Sequence, residues 1–148
     1  MRHLNSPTVG QIRLAVRHLD ELMAAGVTEN LAIRTLEPLV DCYGKVRVYG
    51  TPVAGRRTKG IVWSRAARRK GAVTMLEHGT PRRPFARLIA DAARNGKLTK
   101  VWLDRLCDQR FRIACITRLE DRMIYDAKLH RCSRLLPERR WAAAGIEF

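Results

Sequence analysis

The stretch Phe111-Arg112-Ile113-Ala114-Cys115-Ile116-Thr117 sets the strongest limit on how this chain folds. It is short, apolar and β-branched, which predicts a strand. It runs straight into Thr117-Arg118-Leu119-Glu120, a threonine followed three residues later by a glutamate. That is a capping box, in which each side chain satisfies a backbone N–H at the start of a helix. A strand must therefore turn directly into a helix here. The chain of 148 residues leaves room for one compact domain, 1–148, with at most a small appendage. A domain of that size buries roughly 65–70% of its unfolded surface and needs neither metal nor disulfide to fold.

The rest of the pattern predicts an α+β fold, mostly helical, with an N-terminal helical pair packed on a small two- or three-stranded sheet and flanking helices. The pair occupies 6–42. Ser6 with Pro7 reads as an N-cap with proline at the first helical position. Ile12, Val16, Leu19 and Met23 follow at helical spacing, and Gly26 is the stop. Thr28 caps a second helix bearing Leu31, Leu36, Leu39 and Val40, with Pro38 kinking or ending it. Within the basic segment 43–71, the composition predicts a short strand at Val46–Tyr49, a mobile loop, and a helix over Ile61–Lys70 with Trp63 on its apolar side. Residues 72–78 predict a buried strand ending on Glu77–His78. A helix follows from Pro84 to Asn95, with Phe85, Leu88, Ile89 and Ala92 inward. Another spans Leu98–Asp108, with Val101, Trp102 and Leu106 facing the core. The helix opened by the capping box carries Leu119, Met123, Ile124 and Ala127 on its apolar face. In the tail, 131–148, Trp141 packs the segment onto the domain.

Charge narrows the function. Lys and Arg number 29 against 14 Asp and Glu, a formal net charge of +15. The charges are also segregated: from Cys42 to Leu76 there are nine basic residues and no acid. Such a surface predicts a polyanionic partner, nucleic acid first and DNA ahead of RNA. Arg65, Arg68 and Arg69 would share one helical face at i, i+3, i+4 spacing, suited to phosphate. Arg56, Arg57, Lys59, Lys70 and Arg83 complete the predicted nucleic-acid-binding set. Trp63, Tyr43 and Tyr49 lie in or beside this stretch, where aromatics can stack on exposed bases; core packing is the stronger expectation for Trp63. The second helix, with Glu29, Glu37 and Asp41 against Arg34, repels phosphate and reads as scaffold or dimer contact.

A strand ending in Glu77–His78, a second strand, and a helix opening on acids together resemble the ββα-metal finger of HNH nucleases. Glu77-His78-x-x-Pro81 is similar to the first motif of that family. Ile116-Thr117-Arg118-Leu119-Glu120-Asp121 is similar to its strand-to-helix end. The resemblance covers roughly residues 73–123, within a unit spanning 72–130. It implies a metal-dependent endonuclease cutting phosphodiester bonds. His78 would be the general base, Glu77 and Asp121 ligands of Mg²⁺, and Arg82 (or Arg83) a contact to the phosphate being cut. The chain departs from the family where the final histidine falls on Glu120 or Asp121 and where no middle asparagine other than Asn95 exists. Glu120 is also accounted for by the capping box, and Asp121 by the helix dipole.

The alternative is a non-catalytic protein that binds nucleic acid or a host nucleoprotein complex, as mobile-element inhibitors of defence systems do. Cys42, Cys107, Cys115 and Cys132 form no CxxC pair, which argues against a zinc ribbon. Without a secretory signal or an apolar run near 18 residues, the expectation is a cytoplasmic protein with no membrane contact.

Overall fold

The computed structural model describes residues 5–148. Its elements run α1 (Val9–Ala24), α2 (Glu29–Ala32), a single 3₁₀ turn (Ile33–Thr35), α3 (Glu37–Tyr49), β1 (Val62–Trp63), β2 (Thr74–His78), α4 (Arg82–Arg94), α5 (Lys100–Arg110), β3 (Ile113–Thr117), α6 (Arg118–Asp126) and α7 (Pro137–Ala143). The fold is α+β and mostly helical. The sheet has three strands in the order β1-β3-β2, with β1 parallel and β2 antiparallel to β3.

β3 is the centre of the molecule. Its alternating side chains point to opposite faces of the sheet. Ile113 and Cys115 join a large cluster with Ile12, Leu19, Leu36, Phe85, Ile89 and Leu103, built from α1 to α5. Ala114 and Ile116 join a smaller cluster with Ile124, Trp141 and Ile146, built from α6, α7 and the tail. β2 divides the same way: Leu76 packs on the large cluster and Met75 on the small one. The sheet is thus covered on both faces, which is why β3 reads as an unbroken apolar run. All four cysteines are free thiols. Among the described residues no helix is long and apolar enough to cross a membrane.

Several local expectations are corrected. The first helix is capped by Thr8, not Ser6, through a capping box with Gln11. Ile12, Val16 and Leu19 are buried as the spacing predicts, whereas Met23 is exposed. Pro38 does not kink a second helix but starts a third: it lies in the first turn of α3, where its missing N–H costs no hydrogen bond. Val46–Tyr49 is the last turn of that helix, not a strand, because Tyr43 and Gly44 face the core. A Cβ on Gly44 would overlap the ring of Phe111, so glycine there permits close helix–strand packing. Ile61–Lys70 contains the two-residue strand β1 and then turns, not a helix. α5 buries Leu103 and Cys107 and leaves Val101 exposed. α6 buries Ile124 but exposes Leu119 at 73%.

Candidate nucleic-acid interface

Residues 51–73 have little regular structure, yet the segment is pinned at defined points. Ile61, Ser64 and Ala67 are buried, three residues apart. The backbone N–H of Ser64 extends the β1–β3 pairing by donating to Cys115 O at 3.0 Å. The Ser64 hydroxyl donates to Glu120 Oε2 at 2.7 Å and accepts from the Ala67 N–H at 3.0 Å. The Arg65 N–H donates to Glu147 O at 2.7 Å, tying the segment to the tail. Earlier, Gly55 and Thr58 close a tight turn through two mutual bonds, and Arg56 donates to Thr74 O. With the small residues inward, Arg56, Arg57, Lys59, Arg65, Arg68, Arg69 and Lys70 are all exposed. Seven of the eight predicted basic residues are therefore exposed along a ribbon of turns instead of one face of a helix, and Arg65, Arg69 and Lys70 among them line one cleft.

The ribbon stays cationic because the acids are engaged elsewhere. Among the described residues, ten of the fourteen acids form ion pairs. Nine of them pair outside residues 56–70, as Arg47 does with Asp104 and Asp108, Arg87 with Glu29, and Arg94 with Asp20 and Asp91. Among the described residues only Glu147 pairs with a ribbon cation, Arg65 at 2.8 Å in an exposed contact that carries little energy, while Glu120 reaches the ribbon through Ser64. Beside the ribbon lies an open cleft of about 670 Å³. Arg65, Arg69, Lys70 and Arg118 line it together with the exposed apolar side chains of Val73 and Leu119.

The predicted aromatic stackers face inward. The Tyr43 hydroxyl donates to Asp104 at 2.5 Å, the Tyr49 hydroxyl accepts from the Ile113 N–H at 2.6 Å, and Trp63 packs against the large cluster. Arg83 lies far from the ribbon, on α4, where Glu37 holds it at 2.8 Å.

The residues expected to form an HNH-like site have their own partners. β2 pairs antiparallel with β3, which leads into α6, with α4 and α5 between the two strands. Glu77 and His78 are neighbours on β2, so their side chains point to opposite faces. Glu77 meets Arg140 of α7, whose Nη1 donates to Glu77 Oε1 at 2.7 Å. Burial pushes the Glu77 carboxyl above its ordinary range, against the pull of that guanidinium. His78 meets Asp41 of α3 on the other face, Nε2 to Oδ1 at 2.7 Å, with its ring edge-on to Phe111. Burial alone would raise the Asp41 carboxyl; hydrogen bonds from His78 and Lys45 outweigh it and hold it down to about 2. Arg82 borders the same cavity as His78 and Asp41, and that cavity, about 10 Å³, is no larger than a water. Glu120 accepts from Ser64, from the Thr117 N–H at 2.8 Å and from the Thr117 hydroxyl at 3.2 Å. Asp121 is half-buried beside Arg118 and Arg122.

Mg²⁺ and its ligands do not fit this arrangement. The proposed base and the proposed ligand are separated by the sheet, and an arginine already neutralises Glu77. Among the described residues no three His, Cys, Asp or Glu side chains gather as a metal site. Sequence reading missed Arg140, which is 1% exposed and holds the tail to β2. Its partners on β2 and the turn after it lie some 60 residues away, and nothing local distinguishes it from Arg139. No family model, no curated protein and no solved structure matches the chain.

Proposed function

We propose that this protein binds nucleic acid through its phosphate backbone, with residues 56–70 as the contact surface and no metal-assisted step. The observation that carries this reading is the partition of charge. Seven cations stand on an ordered ribbon whose own sequence, 56–70, holds no acid, and among the described residues Glu147 alone forms an ion pair with one of them. Each cation that meets a phosphate releases a condensed counterion, and arginines add paired hydrogen bonds. Binding is then electrostatic and falls steeply with salt. If all seven cations meet phosphates, log K falls against log salt with a slope near −6 on duplex DNA. Duplex DNA is the first ligand to test, with single-stranded DNA and RNA beside it.

Fluorescence anisotropy between about 50 and 200 mM salt tests the reading. The wild type should bind with a slope steeper than about −4, and changing Arg65, Arg68 and Arg69 together to Glu should flatten it by roughly 3. No binding at the lowest salt, or an unchanged slope in the variant, overturns the reading. A second reading rests on the apolar rim of the cleft, where Val73 is 61% and Leu119 73% exposed. Apolar side chains among cations also suit the acidic or nucleic-acid-loaded face of a host nucleoprotein complex. That reading predicts a stoichiometric complex and no affinity for naked DNA or RNA.

A further inference from the structure

A second cationic site lies at the other end of β2. Val73 borders the ribbon cleft and Pro81 borders this second site, eight residues of largely extended chain apart, about 25 Å. It is a pocket of about 310 Å³ where the start of α4 meets the segment after α6. Arg82, Arg83 and Arg87 enter it from α4; His130 and Arg131 enter from the other side. Four guanidinium groups around one small cavity repel one another, and an anion bound between them would relieve that repulsion.

The protein's own acids offset only half of it. Glu37 takes Arg83 Nε at 2.8 Å, and Glu29 takes Arg87 Nε at 2.5 Å. Asn30 takes Arg83 Nη1 at 3.2 Å. Among the described residues Arg82 and Arg131 form no ion pair, so two positive charges remain. The start of α4 adds to them: Arg82 and Arg83 occupy its first turn, no acid is present there, and Pro81 offers no side-chain cap. His130 is held by stacking on Tyr125, with ring centroids 4.2 Å apart, and its Nδ1 is buried without a hydrogen-bond partner.

We propose that this pocket is a binding site for a phosphate dianion, free or as the terminal monoester of a strand. Two uncompensated charges match a dianion. Three terminal oxygens match arginines converging from two elements, each able to give paired N–H donors. A phosphate inside a chain presents only two such oxygens and needs a path in and out. Glu37 also lines the pocket, where its carboxylate is taken up by Arg83. The shared ligand chemistry has two sources, free phosphate and the terminal phosphate of a nucleic-acid strand.

The test is a ¹H–¹⁵N chemical-shift titration of the whole protein with inorganic phosphate at constant ionic strength, against chloride. Saturable shifts confined to residues 82–87 and 130–131 are expected with phosphate alone. Arg82→Gln and Arg131→Gln remove exposed side chains without ion pairs, so the fold persists, and each should weaken phosphate binding about tenfold or more. Equal shifts with chloride, shifts scattered over the basic surface, or wild-type affinity in both variants overturn the proposal. A 5′-phosphorylated oligonucleotide that shifts the same amides more than its 5′-hydroxyl twin identifies a strand end as the source; equal effects identify free phosphate. The variant with Arg65, Arg68 and Arg69 changed to Glu should keep the phosphate response, so failure of the pocket and failure of the ribbon are separable.

Discussion

Replacing Arg140 by methionine isolates the contact that holds the tail to the sheet. The guanidinium donates from Nε to Leu129 O at 2.8 Å and from Nη1 to Glu77 Oε1 at 2.7 Å, His78 O at 3.0 Å and Gly79 O at 3.2 Å. Methionine fills much of the volume and makes none of these bonds. The Glu77 carboxylate is then buried without a counter-charge. Breaking one side of such a pair costs about 3–5 kcal/mol at neutral pH. Total stability for a domain is about 5–15 kcal/mol, so the melting temperature should fall by roughly 6–20 °C. The dependence on pH is the sharper part. Burial already places the folded carboxyl above its unfolded value, so ionising Glu77 opposes folding as pH rises. Losing Arg140 pushes it higher still. Below about pH 4 the carboxyl is protonated in both states, and the variant's deficit should shrink to the roughly 1–3 kcal/mol of unbonded carbonyls. Urea denaturation of wild type, Arg140→Met, Glu77→Gln and the double variant at pH 4 and pH 7 measures this. A deficit under about 1 kcal/mol at pH 7, or one equal at both pH values, refutes the assignment of a buried ion pair.

Asp41→Asn should cost about 2 kcal/mol at pH 7, because a carboxyl held down to about 2 contributes stability above its unfolded value near 4 and loses it as pH falls toward 2; acid denaturation followed by circular dichroism should show the gap to wild type closing over that window. Gly44→Ala should cost about 1–3 kcal/mol by forcing α3 off Phe111, read as a lowered urea midpoint with an unchanged slope. Thr117→Ala removes the side chain that caps α6 and should cost about 1 kcal/mol. EDTA and Mg²⁺ should leave oligonucleotide binding at the ribbon equal, with no cleavage in either; cleavage that needs metal and is lost in His78→Ala would restore the nuclease reading.

Periodicity and capping chemistry carry most of the fold. The strand–helix corner at Thr117, the strand ending at His78, and α1, α4 and α5 all follow from spacing that local chemistry enforces. Between Leu36 and Lys70 local preference lost to packing. Val46–Tyr49 is β-prone, but Tyr43 and Gly44 on the preceding turns had to meet Phe111 and Asp104, and the helix carried on through it. Arg65, Arg68 and Arg69 are exposed because Ile61, Ser64 and Ala67 face inward, and the buried serine has its reason in Glu120, 56 residues away. The ribbon's charge was therefore legible, while its scaffold was not. For Glu77 and His78 the two-residue period of a strand was legible too, and it separates them; what each would meet depended on α3 and α7, which no local pattern names.

β3 pairs with both other strands, and each of its contacts reaches far back along the chain. Val62 pairs with Ala114, 52 residues later, and Leu76 with Cys115, 39 residues later. During synthesis α1 to α5 and β2 all leave the ribosome before β3 does. Until then Leu76 and Met75 have no sheet to sit in, and the two-helix excursion between β2 and β3 has nothing to close onto. Contacts this distant slow folding and favour one late, cooperative collapse over stepwise growth from the N-terminus. A nascent chain stalled near residue 105 would present an unpaired strand and a half-built core, a natural client for a chaperone.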